Sequence, residues 1–186
     1  MAYLLALLSA GFYGAADFTG GLATRRAAAL PVVFISQACG LVLVALAIPL
    51  LPRATPSGAD LWWGAAAGVA GGIGVGLLYR ALATGTMSVV APVTAVTAVA
   101  LPVLTSIVLG ERPHALTVVG IVLGIASIVL VSRAPSSSTG ARQEVKTAGI
   151  GAALIAGVAI GIFLIALAQT NRNAGLWPLL TDRIAS

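Results

Sequence analysis

Fourteen of the fifteen charged residues in this 186-residue chain fall outside six long apolar segments, and the fifteenth, Asp17, lies inside the first. The segments cover residues 2–23, 31–51, 61–79, 88–109, 115–132 and 147–169. Each is close to the ~20 residues that a helix needs to cross a ~30 Å hydrocarbon core. A soluble domain of this length could not bury six such segments. It would also carry about 25% charged residues, against the 8% found here. Membrane barrel strands would alternate polar and apolar residues over about ten positions, and no stretch of the chain does so. In hydrocarbon the backbone must then satisfy itself within helices. The sequence predicts an all-α, polytopic helical membrane protein with six transmembrane helices.

The net charge of +5 invites a nucleic-acid reading, but the arginines stand singly or as the pair Arg25-Arg26 at segment ends. No basic patch with interleaved aromatics is present, so the expected partner is the lipid bilayer and not nucleic acid. Cys39 is the only cysteine, which excludes an internal disulfide and a cysteine-only metal site. Its expected role is a small packed side chain. In Gly110-Glu111-Arg112-Pro113-His114, glycine follows one helix and proline opens the next. Glu111 and Arg112 read as solvated caps there. His114 has no second His or Cys within reach for a metal. No nucleophile–base pair, phosphate loop or carboxylate dyad occurs, so neither an enzyme nor a cofactor is expected. No basic residue precedes the first apolar run, so that run is expected to stay as a span rather than be cleaved.

Residues 133–146 (RAPSSSTGARQEVK) are polar and Ser-rich without apolar periodicity, and read as a linker between five helices and a sixth. After the sixth, Trp177-Pro178 reads as an interfacial anchor and the first turn of a helix that has no body. Either that tail lies on the membrane surface or the sequence is a fragment of a longer protein. Leu154-Ile155-Ala156-Gly157 with Gly161 echoes Leu8-Ser9-Ala10-Gly11 with Gly14, one place out of step. Five helices, a linker and a helix resembling the first is how a second repeat would begin, and an odd number of spans per repeat would invert it. The expected organisation is a five-helix repeat over 1–132, the linker 133–146, and the truncated start of a second repeat over 147–186.

Several residues carry packing or chemistry. Gly64, Gly68, Gly72 and Gly76 recur every four residues, which leaves one helix face bare for close backbone approach. Gly120 and Gly124 repeat the pattern in the fifth segment, and Ala153, Gly157 and Gly161 in the sixth. Such faces pack helices and also let them rock, as alternating access requires. Pro92 and Pro102 each remove a backbone hydrogen bond from the fourth segment and are expected to loosen or kink it. Thr94, Thr97 and Thr105 share roughly one face of it, either back-bonding their own helix or lining a cavity. A carboxylate in mid-membrane is a functional candidate by default, and Asp17 shares a face with Ser9 and Tyr13. The alternative is that Asp17 reaches the headgroups or pairs with Arg25 or Arg26.

Tyr79-Arg80-Ala81-Leu82-Ala83-Thr84-Gly85, Val89-Val90-Ala91-Pro92-Val93 and Leu109-Gly110-Glu111-Arg112-Pro113, followed by Gly120 and Gly124, resemble the EamA family of the drug/metabolite transporter superfamily. With Phe12-Tyr13-Gly14 the resemblance covers about residues 1–132, and more weakly 147–182. It implies a ten-helix secondary transporter, built from two inverted repeats with the site between the halves, that moves small molecules across the cytoplasmic membrane. It also implies an N-terminus in the cytoplasm. The positive-inside rule points the other way. Arg25, Arg26, Arg80, Arg133, Arg142 and Lys146 follow odd-numbered helices, whereas only Arg53, Arg112 and Arg172 follow even-numbered ones. The functional expectation is an exporter or permease of small metabolites or drugs. Asp17, Tyr13, Ser9, Thr94 and Thr97 are its candidates for substrate binding or proton coupling. A missing C-terminal half, or a second copy, would complete the transport unit. The alternative is a non-transporting membrane fragment or an interaction subunit that needs a partner chain.

Overall fold

Where the charges stop, helices begin. A computed structural model describes residues 2–85, 87–110, 115–133 and 147–186. Among them all regular structure is helical: α1 (Ala2–Ala23), α2 (Ala29–Ala47), α3 (Gly58–Thr84), α4 (Met87–Val108), α5 (Ala115–Arg133), α6 (Thr147–Ala168) and α7 (Trp177–Ala185). Two 3-10 turns, Ile48–Leu50 and Arg172–Ala174, follow α2 and precede α7. The 111–114 turn and residues 134–146 of the expected linker lie outside the described residues.

Among the described residues, four stretches are long and apolar enough to cross a membrane: Ala29–Leu50, Gly58–Thr84, Met87–Val108 and Gly149–Ala168. The helices α1 and α5 form where two further spans are expected but do not join that set. In α1 the apolar run is diluted by Asp17, Tyr13, Thr19 and four glycines. The chain is thus a helical membrane protein, with four such spans among the described residues where six are expected from the apolar segments.

α3 is longer than its apolar segment, and its ends show why. Ser57 caps its start, accepting a bond from Asp60 N at 3.2 Å. The Asp60 carboxylate accepts in return from Ser57 N at 2.8 Å and Ser57 Oγ at 2.7 Å, a reciprocal capping box. Its other oxygen accepts from Asn171 N at 2.8 Å, which ties the start of α3 to the turn before α7. At the far end, Gly85 N still donates to Ala81 O at 2.7 Å. α4 is assigned as one helix through both Pro92 and Pro102.

α3 is the central element, and its glycines occupy two faces. Gly71 and Gly74 lie against Phe163 and Ile160 of α6. Gly64, Gly68 and Gly72 lie against Pro178, Asp182 and Ser186, so α7 runs parallel to α3 in the bare groove. The tail is a seated nine-residue helix, not a surface strap. α6 is clasped from its other side by α4: a side chain at Gly157 would meet Thr94 and Thr97, and one at Gly161 would meet Leu101 and Ala98. Leu78, Ala81, Leu82, Val90, Ala153 and Ala156 close the core between these three helices. Among the described residues, three glycines expected at helix contacts are not in one. Gly76, Gly120 and Gly124 have nothing within 4 Å of where a Cβ would stand. α7 covers only the first three positions of the α3 series, and α5 lies beside α4 with Gly120 and Gly124 exposed.

Candidate functional site

Asp17 is half-buried where α1 meets α3. Gly20 and Gly21 follow it by three and four residues, and so share its helix face. Because those two lack side chains, the Tyr79 ring of α3 lies against Gly20, while Leu82 and Met87 lie against Gly21. Thr24 fixes the end of the contact. Its hydroxyl is within bonding distance of Gly20 O at 3.1 Å, Gly21 O at 3.0 Å and, across the interface, Tyr79 O at 3.4 Å. The Asp17 carboxylate itself has neither a hydrogen bond nor an ion pair among the described residues, and Arg25 and Arg26 are both exposed. The alternative pairing with those arginines is therefore not formed.

The other candidates fall elsewhere. Ser9 and Tyr13 are exposed, since only the second half of α1 packs on α3. Thr94 is buried, and its hydroxyl donates to Ala153 O of α6 at 3.1 Å. Thr97 and Thr105 donate back to Val93 O at 2.8 Å and Leu101 O at 2.9 Å of their own helix. The threonine face of α4 is thus turned to α6, apart from the Asp17 face of α1.

A second polar cluster lies between α2, α3 and α7, and sequence reasoning passed over it. The Asp182 backbone packs on Gly68, and its side chain is buried. Arg183 Nε stands 3.6 Å from Asp182 Oδ2, while Arg183 Nη1 donates to Gln37 Oε1 of α2. Its guanidinium rests over Gly40, where a Cβ would come within 3.1 Å of Nε. Gly68 is near the middle of α3, a helix of 27 residues, or about 40 Å. With α3 across a bilayer, Asp182 and Arg183 are charges near mid-depth. One signal was available: Gln37 is the only carboxamide in the second apolar segment. Among the described residues no group of three or more His, Cys, Asp or Glu side chains could hold a metal ion, and Cys39 is exposed and free.

Among the described residues the bundle thus has an unpaired carboxylate on one helix, an ion pair within another that is bonded across to Gln37 of α2, and helix contacts made largely through glycine. Set against models of known families, residues 1–133 match the EamA-like transporter family. The chain belongs to that family. The match runs from α1 through α5 and includes Asp17, Tyr79 and the α3 glycine series. Members of the EamA family are transporters rather than enzymes, and the chain is a multi-pass membrane protein of the drug/metabolite transporter type. No curated protein and no solved structure matches the chain.

Proposed function

We propose that this EamA protein is a secondary transporter that moves a small metabolite or drug-like molecule across the cytoplasmic membrane by alternating access, with Asp17 as its proton- or cation-binding group. The observation that carries the reading is the Asp17 carboxylate, inside a helix of a transporter-family chain and without a bonded partner among the described residues. A charge at such a place is costly unless it is hydrated, protonated or bound to a ligand. Exchange among those three states is what coupling needs. Tyr79, against Gly20 on the same side, supplies a hydroxyl nearby. Tyr13 and Ser9 extend the face along α1, and Thr94 and Thr97 mark the α4–α6 contact that would have to shift between states.

In this reading α1–α5 form one repeat over 1–132, residues 133–146 connect it, and 147–186 begin an inverted second repeat. The α1 and α5 helices then complete six spans. Further helices, from a C-terminal half or a second copy, would meet the bare faces at Gly120 and Gly124. The test is export by cells producing the chain, followed by untargeted mass spectrometry of the medium. Asp17→Asn should abolish the exported signal while the amount of chain in the membrane stays unchanged. Undiminished export by that variant removes Asp17 from the site. Absence of export from the native chain favours the alternative, a subunit that transports only with a partner.

A further inference from the structure

Between the first turns of α2 and the second half of α3 runs an apolar groove of about 700 Å³. Leu30 and Val33 form one wall, Val69, Ile73 and Gly76 the other, and Ser186 at the end of α7 closes the inner end. Val69 to Arg80 is eleven residues along α3, or about 16 Å of groove. Gly76 leaves this wall flat, with nothing within 4 Å of its Cβ position.

The groove changes character at its mouth. Arg80 lines it there and is exposed. Thr24, bonded to the carbonyl of Tyr79 at 3.4 Å, holds the α1–α2 turn beside the same end of α3. Arg25 and Arg26 follow Thr24 directly, and Ala28, two residues on, already lines the groove. Among the described residues none of the three arginines makes an ion pair or a side-chain hydrogen bond. An apolar groove thus ends at Arg80, and the turn that leads into its α2 wall carries Arg25 and Arg26; guanidinium groups suit phosphate oxygens.

We propose that this groove binds one anionic phospholipid, with an acyl chain lying between α2 and α3 and the phosphate held by Arg25, Arg26 and Arg80. In a bilayer the acyl chain alone gives no preference, because the surrounding tails are equally apolar. Selection comes from the headgroup, at about fivefold per arginine.

The experiment is native mass spectrometry of the purified chain in detergent with equal phosphatidylglycerol and phosphatidylcholine of matched acyl chains. One phosphatidylglycerol per chain should be retained in clear excess over phosphatidylcholine. The Arg25→Ala/Arg26→Ala/Arg80→Ala variant should lose that preference. Gly76→Trp, which fills the groove below the arginines, should lose retention of either lipid, with helicity by circular dichroism as the folding control. Leu77→Phe is a milder block should the tryptophan variant misfold. Equal retention of both lipids by the native chain overturns the proposal, as does an undiminished preference in the triple variant. If the groove-blocking variants keep the preference, the arginines act as surface anchors and the groove is not a lipid site. Cross-linking of a second polypeptide to Gly76→Cys in place of lipid overturns it as well.

Discussion

Gly68→Ala tests whether α7 is held by the bare face of α3. A Cβ built at Gly68 stands 2.8 Å from both the carbonyl carbon and the Cα of Asp182, and closer still to its oxygen. Contact between carbon atoms is most favourable at about 3.5–4.0 Å, so α7 must retreat by roughly 1 Å. The obstruction is backbone, which cannot rotate aside as a side chain would. Because α7 is one nine-residue helix, the same retreat also opens its contacts at Gly64 and Gly72. A gap of that size forfeits about a quarter to a half of each dispersion contact, and overpacking of this kind costs about 1–3 kcal/mol. Gly76 is the internal control, since it continues the series with nothing within 4 Å. There alanine should be neutral, or more stable by about 0.5–1 kcal/mol through helix propensity. The two substitutions are chemically identical and should differ in sign. Thermal unfolding in detergent reads the stabilities, and hydrogen exchange over 177–185 reads the release of α7. Equal stability of Gly68→Ala and Gly76→Ala would refute the seating of α7 in the groove.

Other substitutions test the remaining contacts. Thr94→Val removes the hydroxyl that joins α4 to Ala153 of α6 and should cost about 0.6 kcal/mol. Thr97→Val loses only a bond within its own helix and should be near neutral in the same unfolding assay. Arg183→Ala leaves the buried Asp182 without its cation. The loss should approach the ~3–5 kcal/mol of a broken buried pair, lessened because Arg183 is partly exposed, and adding Asp182→Asn should restore much of it. Ser57→Ala breaks one half of the capping box and should cost about 0.5–2 kcal/mol. Asp60→Ala should cost more, since Asp60 also accepts from Asn171 N. Both are read as a lower unfolding temperature.

Charge spacing and apolar length were enough to place six of the seven helices, because a span in hydrocarbon admits no other backbone solution. The α3 glycine series was also legible, but not what would cover it. Spacing shows that a face is bare, whereas the choice of neighbour depends on tertiary packing. α7 was misjudged for a physical reason. It has only nine residues, among them Thr181, Asp182 and Arg183, so a search for apolar runs of about 20 residues passes over it. Its helix is stabilised by contact with α3 rather than by its own composition. Asp17 stood out because a carboxylate interrupts an apolar run. Its neighbour Tyr79 did not, because a tyrosine there reads equally well as an interfacial anchor.

The two carboxylates placed within the bundle are held in opposite ways, and that difference argues for different roles. Asp182 has an arginine beside it in sequence, a glycine backbone against its own, and a glutamine on α2 that steadies the arginine. Its negative charge is already answered, and removing either partner strands the other, so the cluster fastens α7 to α2 and α3. Among the described residues Asp17 has no bonded partner, and the side-chain hydrogen bond that ties its helix to α3 comes from Thr24, two turns later. A group that must take up and release a proton or a cation cannot also be the anchor of a fixed pair. A bundle whose helices meet through glycine needs at least one such anchor while its other contacts slide. On this division Asp182 and Arg183 belong to the frame, and Asp17 to the part that works.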